Sequence, residues 1–388
     1  MLKAVVGHSE DPESQEAIEE VLEQCAEELE GQTPQAGILF AAIDFEYELI
    51  LQAIHQAFPG IELIGCTTDG EISSLSGFQQ GSLTLMLFCS DTVMIRAGVG
   101  RGTRDDAIAA AKAAIQQATA SLSDSPKLCI TVPASYLDEG VTTSGESILE
   151  GLNLALNGQV PIVGGTAGDQ SQFKKTYQFF GQEVLTDALP VLIFSGDLLC
   201  SYGIGCGWQP MGKKSLATKA QGTVLHEVDN RPALEFYQQY LKDKIPTPEN
   251  PLAVFEGDSD VYYMRVPNFH DFDTGSVTFL GNIPENAVVQ LTEVSRDRIV
   301  DAATSAFKLA LDRYPGNEPD ALLIFSCCCR RWVLGTRAQE EYQRLRESTT
   351  KPLATCGFYT YGEFAPLQDD TSNTFHQETF VTVLLGTQ

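Results

Sequence analysis

Apolar residues return along this chain in two rhythms, one helical and one strand-like. Near the start, Ile18, Val21, Leu22, Cys25 and Leu29 recur at spacings of three and four, which predicts an amphipathic helix opened by Asp11 as its cap and Pro12 at its first position. Three later stretches resemble one another. The first, residues 37–71, reads GILFAAIDFEYELILQAIHQAFPGIELIGCTTDGE: a buried strand, an amphipathic helix, a Pro-Gly turn, a second strand and a glycine-rich turn. The second starts at Lys127 with KLCITVPASYLDEG, continues through a helix carrying Ile148, Leu149, Leu152 and Leu156, and ends in VPIVGGTAGDQ. The third starts at Asp320 with DALLIFSCCCRRWVLG, passes a helix through Glu340 and Leu345, and ends in KPLATCGFYTYGE. Its cysteine run Cys327–Cys329 reads as part of a strand.

A second match extends the pattern. The stretch from Gly81 and the stretch from Gly275, offset by 194 residues, both read as strand, tight turn, strand and an alanine-rich helix opened by Arg-Asp. Two halves sharing one plan, built from units of about a hundred residues, account for both matches. The join falls near Gln209–Gln221, where Lys213, Lys214 and Lys219 make the one locally basic stretch. Several strands are joined by short turns (89–92, 282–286), which excludes a purely doubly wound parallel sheet. The predicted fold class is therefore α/β, with mixed, partly antiparallel sheets and packed helices.

Charge narrows the partners. The chain of 388 residues carries 25 basic and 52 acidic side chains, a net −27. Such a surface repels nucleic-acid phosphates and anionic lipid, so neither nucleic acid nor membrane is an expected partner. From Glu10 to Glu30 there are ten acids and no base, a solvated helix face or a docking face for a basic partner. No apolar run is long enough to span a membrane, and the start does not read as a signal peptide, so a cytoplasmic setting with reduced, buried cysteines is expected. The ten cysteines include no CxxC and the five histidines no HxH, so no metal site is expected from spacing.

The candidate binding groups lie in the three glycine-rich turns. Each closes a buried strand, where crevices in α/β sheets receive ligands. They supply Thr67, Thr68 and Glu71; Gly165, Thr166 and Asp169; and Tyr359, Tyr361 and Glu363. Tyr359 and Tyr361 alternate on one strand and should face one side, with Glu363 beside them to suit an amine or a cation. His376, read as beginning the last strand, would approach Tyr361. Arg265, in the alternating run VYYMRVP, could pair a ligand carboxylate or a protein one. No P-loop, GxGxxG, GxSxG or HExxH motif is present. Cys66 and Cys356 sit in equivalent turns but have no neighbouring base or positive charge to activate a thiol, so catalysis is not expected.

The order PIVGGTAGD, RPALEFY, IFSCCCRR, GFYTYGE and FHQETFVTVLLG resembles the FIST family of prokaryotic signal-transduction proteins, over nearly the whole chain. The resemblance implies an N-terminal sensory domain over residues 1–220 and a C-terminal domain over 221–388. It implies a non-enzymatic sensor of a small ligand such as an amino acid, acting in trans on a histidine kinase, a chemoreceptor or a cyclic-dinucleotide enzyme. Some members are described as haem-binding nitric-oxide sensors; haem b would need one axial histidine, for which His8, His226, His270 and His376 qualify. A cysteine-dependent enzyme is a further alternative. The consecutive cysteines before Arg330 depart from the family's usual Ser-Cys-x-x-Arg stretch.

Overall fold

The computed structural model describes residues 1–387 apart from residues 139, 256, 258, 259, 350 and 368–371. The chain runs through one plan three times. The first unit holds β1 (Leu2–Ser9), α1 (Ser14–Leu29), β2 (Ala36–Ala41), α2 (Tyr47–Ala57), β3 (Glu62–Thr67), β4 (Glu71–Ser73), β5 (Gly77–Gln79) and β6 (Leu83–Ser90). The second holds β7 (Val93–Arg101), α3 (Thr103–Thr119), β8 (Pro126–Thr131), β9 (Tyr136–Asp138), β10 (Val141–Thr142), α4 (Gly145–Ala155), β11 (Ile162–Gly165), β12 (Gln178–Phe180), β13 (Glu183–Leu185) and β14 (Ala188–Gly196). The third opens with β15 (Leu199–Gly205) and is then interrupted. The insertion comprises β16 (Gln209–Leu216), β17 (Lys219–Gln221), β18 (Val224–Val228), β19 (Arg231–Pro232), α5 (Ala233–Leu241), β20 (Leu252–Phe255), β21 (Tyr262–Arg265), β22 (Pro267–His270), β23 (Val277–Phe279) and β24 (Val288–Glu293). The unit resumes with α6 (Arg296–Arg313), β25 (Ala321–Cys327), α7 (Cys328–Leu334), α8 (Gln339–Glu347), β26 (Ala354–Thr360), β27 (Glu363–Pro366), β28 (Asn373–His376) and β29 (Phe380–Gly386).

Each unit builds a six-stranded mixed sheet, in the orders β1-β6-β2-β3-β12-β13, β28-β27-β11-β8-β14-β7 and β15-β29-β25-β26-β4-β5. The middle of each is a parallel pair, β2/β3, β8/β11 or β25/β26, flanked by antiparallel strands. The last two strands of each sheet are borrowed. The hairpin β4–β5 leaves the first unit to pair with β26; β12–β13 leaves the second to pair with β3; β27–β28 leaves the third to pair with β11. The exchange closes a ring. Inner faces of all three sheets share one apolar core that includes Phe40, Phe88, Phe194, Phe325 and Phe358. The insertion forms two smaller antiparallel sheets with its own core around Tyr237 and Leu252.

Mixed sheets with packed helices are what the sequence pattern implied. The repeat units of about a hundred residues are there, three in number, with the insertion lengthening the third. Their common signature is close helix packing on the first strand. A Cβ on Gly7, Gly98 or Gly203 would stand 2.3, 2.1 or 1.9 Å from the carbonyl oxygen of Val21, Ala114 or Ala306. Only a glycine lets the helix backbone approach so near.

Four local expectations change. Helix α1 begins at Ser14, because Asp11 turns its carboxylate onto the Glu13 N–H at 2.9 Å and keeps Pro12 outside. The 89–92 turn does not fold a hairpin; it passes the chain from β6 in one sheet to β7 in another, and 282–286 does the same between β23 and β24. Strand β25 stops at Cys327, and Cys328 and Cys329 begin α7. His376 ends β28, opposite Glu363, and does not open the last strand.

Candidate functional site

The three glycine-rich turns converge. In sequence the turns share a Thr-x-Gly-acid signature, Thr68-Asp69-Gly70-Glu71, Thr166-Ala167-Gly168-Asp169 and Thr360-Tyr361-Gly362-Glu363. Their backbones lace together. Asp69 N–H donates to the Tyr359 carbonyl at 2.9 Å, Gly168 N–H to that of Thr67 at 2.8 Å, and Thr166 N–H to that of Gly362 at 2.9 Å. The amides are therefore consumed by protein. Gly165 is needed for this packing, since a Cβ there would lie 2.6 Å from Thr360 Oγ1.

The three acids differ in how they are satisfied. Glu71 accepts from Ser82 N–H at 3.1 Å, from Ser82 Oγ at 2.6 Å and from the Thr68 hydroxyl. Burial still pushes its pKa up to about 7. Asp169 accepts from the N–H groups of Phe173, Lys174 and Lys175 at 2.9, 2.7 and 3.0 Å, and from the Tyr361 hydroxyl. Glu363 accepts from Thr379 N–H and Oγ1 at 3.1 and 2.7 Å on one oxygen only. Its Oε1 has no partner among the described residues, nor has Thr166 Oγ1 close by in the same turn cluster.

Beside this corner lies a cavity of about 430 Å³, bounded by the start of α4, the inserted strands β22 and β23, the start of α7 and the Thr166 and Tyr361 turns. Phe173, Trp332, Tyr136 and Tyr361 supply aromatic surface to it. Phe173 stacks on Tyr361 with centroids 4.9 Å apart and meets Trp332 edge-on at 5.6 Å. Thr166 and Gln377 also line it. Gln377 Oε1 takes the Val266 N–H at 2.9 Å, and its Nε2 has no partner among the described residues. Polar groups buried without partners are costly, and a ligand that meets them recovers that cost.

The remaining wall is made of Cys327, Cys328 and Cys329, all buried, with their sulfur atoms within 4.8 Å of one another. Behind them sits Glu378, fully buried, with neither carboxyl oxygen in a conventional hydrogen bond. Burial, reinforced by the neighbouring Cys327 and Glu363, raises the Glu378 pKa well above the carboxylate range, and burial does the same to Glu363. Burial pushes the Cys327 thiol up to about 12. Cys329 is raised well above the ordinary thiol value by the hydrogen bonds it donates to Cys327 and Cys328 and by burial. Cys328 moves the other way: burial opposes its ionisation, but hydrogen bonds with Cys327 and Cys329 outweigh that and lower its pKa. The three thiols therefore titrate as one coupled set.

Of the residues singled out from sequence, Thr166 and Tyr361 line the cavity. The others stand in solid protein. Tyr359 is buried and donates to Glu341 Oε2 at 2.5 Å, under α8 rather than beside Tyr361, because the strand ends at Thr360 and the chain turns. Thr67 Oγ1 accepts from Tyr177 N–H at 3.0 Å. Thr68, Glu71, Gly165 and Asp169 hold the turns together, as described. His376 faces the Ala365 carbonyl at 3.0 Å, and burial lowers its pKa to about 4. Arg265 donates to the carbonyls of Asn282, Met264 and Phe375, lies 3.4 Å from Glu146 and stacks on Tyr263. It takes the protein-carboxylate option. Arg330 does likewise, in a buried pair with Glu341 at 2.6 Å. Cys66 and Cys356 are strand residues whose thiols burial holds well above their ordinary pKa. None of the lining residues is a histidine, and His8 is turned onto Thr84 at 2.7 Å, so a haem in this cavity would lack the imidazole ligand that the sequence reading asked for. Sequence reading missed Phe173, Trp332, Gln377 and Glu378. The adjacent pair Gln377-Glu378 between two strands was the available signal, since two long polar side chains there must either be solvated or aim inward.

Three mixed sheets locked by exchanged hairpins, with an inserted segment closing a partly polar cavity, define the architecture of a mixed α/β protein. Family comparison gives the membership: the FIST N domain matches residues 35–231 and the FIST C domain residues 233–366, so the chain belongs to the FIST family, whose domains are associated with sensing in signal transduction. An uncharacterized protein of Methanocaldococcus jannaschii is 27% identical over 62% of this chain, which spans about half, 48%, of that protein. An uncharacterized protein of Mycobacterium tuberculosis is 23% identical over 93% of this chain and 94% of its own length. Among solved structures, cyanuric acid hydrolase from A. caulinodans aligns over all of both chains with a TM-score of 0.42 and 8% identity. No helix among the described residues is long and apolar enough to cross a membrane.

Proposed function

We propose that this chain is a cytoplasmic, non-enzymatic sensor whose cavity takes a small metabolite of the amino-acid class, and that the bound form acts in trans on a signalling partner such as a histidine kinase, a chemoreceptor or a cyclic-dinucleotide enzyme. The observation that carries the reading is the cavity of about 430 Å³ with two polar groups, Thr166 Oγ1 and Gln377 Nε2, that have no partner among the described residues. Its volume falls within the roughly 300–1,000 Å³ of small-molecule sites. The amide can donate to a carboxylate or carbonyl, the hydroxyl can donate or accept, and the aromatic wall can hold an apolar side chain. The cavity is bounded by parts of the second unit, the third unit and the insertion, so a ligand bridging them favours one arrangement of those parts over another. That difference in affinity is what a ligand has available to signal with. A coupling of about 1–3 kcal/mol changes partner affinity 5–150-fold.

Native mass spectrometry of freshly purified protein, followed by titration calorimetry with an amino-acid panel, tests the reading. A bound amino acid or close relative is expected. Thr166→Val removes a hydroxyl that makes no protein hydrogen bond, so it should weaken ligand binding about tenfold and leave thermal stability unchanged. Failure of every member of the panel to bind, or equal binding by the variant, overturns it. Equal ligand affinity with and without the partner rules out the signalling step.

A further inference from the structure

The cysteine run that breaks the family pattern does more than line a wall. We propose that Cys327, Cys328 and Cys329 bind one thiophilic divalent cation of the zinc class, with the Glu378 carboxyl, which lies outside the sulfur cluster, swinging in as fourth ligand. The three sulfur atoms already lie within 4.8 Å of one another. A tetrahedral centre with metal–sulfur bonds of about 2.3 Å spaces its thiolates about 3.8 Å apart, so small side-chain rotations complete the tripod. Three consecutive residues can converge in this way because the chain changes element between them. Cys327 closes β25 in an extended conformation (φ −62, ψ 136), and Cys328 and Cys329 open α7. Metal-site spacings such as CxxC do not describe this arrangement, which is why sequence spacing did not signal it.

The second, independent observation is Glu378. Its side chain is fully buried, and neither oxygen meets a hydrogen-bond donor among the described residues. Its backbone is held in place, since the Arg330 guanidinium donates to the Glu378 carbonyl at 3.2 Å and that guanidinium is itself paired with Glu341. A carboxyl so fixed, so dry and so poorly partnered is an available metal ligand, and an outer group is present too: Glu363 Oε1, also unpaired and close enough to Cys327 for their charges to interact. Soft thiolates select zinc-like ions over magnesium or calcium. The cavity supplies the entry path, because all three cysteines line it. On binding, each of the three thiols and the carboxyl gives up its proton to solvent, and the cation gives up coordinated water. The inference does not depend on the metabolite reading: it concerns the wall of the cavity and uses the metal alone as probe.

The test is titration of reduced, metal-free full-length protein with Cd²⁺, followed by the ultraviolet thiolate-to-cadmium charge-transfer band, then displacement by Zn²⁺. The expected result is saturation at one equivalent per chain. Cys328→Ser combined with Cys329→Ser should abolish the band, Glu378→Gln should weaken Cd²⁺ affinity at least tenfold while the band persists, and the control Cys200→Ser should behave as the parent. Circular dichroism of each variant shows whether it is folded. If the double variant does not fold, Cys329→Ala and Glu378→Gln decide singly. Absence of a one-equivalent band, its survival in the double variant, or a Glu378→Gln affinity equal to the parent's overturns the proposal.

Discussion

Burial of ionisable side chains sets the pH behaviour of this protein. Glu71, with its pKa raised to about 7, binds its proton more tightly folded than unfolded. Its contribution to stability is therefore fully present below the ordinary carboxyl value and is lost as pH rises through about 7. Glu363 and Glu378, raised further, act in the same sense. His8 and His376, lowered to about 4, act oppositely: folding resists their protonation, so they cost stability as pH falls below the ordinary histidine value. Glu71→Gln keeps an acceptor for Ser82 and a donor for Thr68. It should remove a pH-dependent loss of about 3 kcal/mol between pH 5 and pH 8, read as the change in urea midpoint across that interval. A parent-like pH profile in the variant would refute the assignment. The candidate acids were visible in the sequence because each ends a glycine turn. Which of them has a spare oxygen was not, since that depends on Ser82 and Thr379, eleven and sixteen residues away.

Helix and strand identities were mostly legible, because buried strands such as LLIFS and stripes such as Ile148, Leu149 and Leu152 have unambiguous periods. The exception is informative. The apolar run leading into Cys327–Cys329 gives no period to tell strand from helix, and α7 has no side-chain cap to mark its start. The contact of α6 with β15 depends on a feature easily passed over in sequence, Gly203, which sits against the Ala306 carbonyl. Gly203→Val forces that helix off its strand and should cost about 3 kcal/mol, measured as a lower denaturant midpoint. An unchanged midpoint would mean that the helix can shift outward freely. Ala306 and Ala310 would then not be the tight contact described here.

At the scale of the molecule, the two halves of the sequence are not two separable bodies. The hairpin β4–β5 completes a sheet whose other strands begin after residue 198, and β27–β28 completes one built from residues 93–196. Fragments cut at residues 1–220 and 221–388 should each lack a cooperative thermal transition, whereas the mixture should recover one; calorimetry distinguishes these outcomes, and a sharp transition in either fragment alone would contradict the exchange. None of this was readable from the chain, because pairing partners up to nearly three hundred residues apart leave no local trace. Three stretches looked alike in sequence because they are three copies of one device, and the copies have since taken on different work: one corner spends its acid on serine, one on a loop of backbone amides, and one keeps an oxygen in hand.

The borrowed hairpins carry a mechanical consequence. Each unit finishes its neighbour, so none can loosen without disturbing the next, and the third hands the disturbance back to the first. A guest lodged at a single seam would therefore bear on more than one unit. The exchanged strands give the three sheets one continuous set of hydrogen-bonded contacts through which such a guest would reach beyond its own seam.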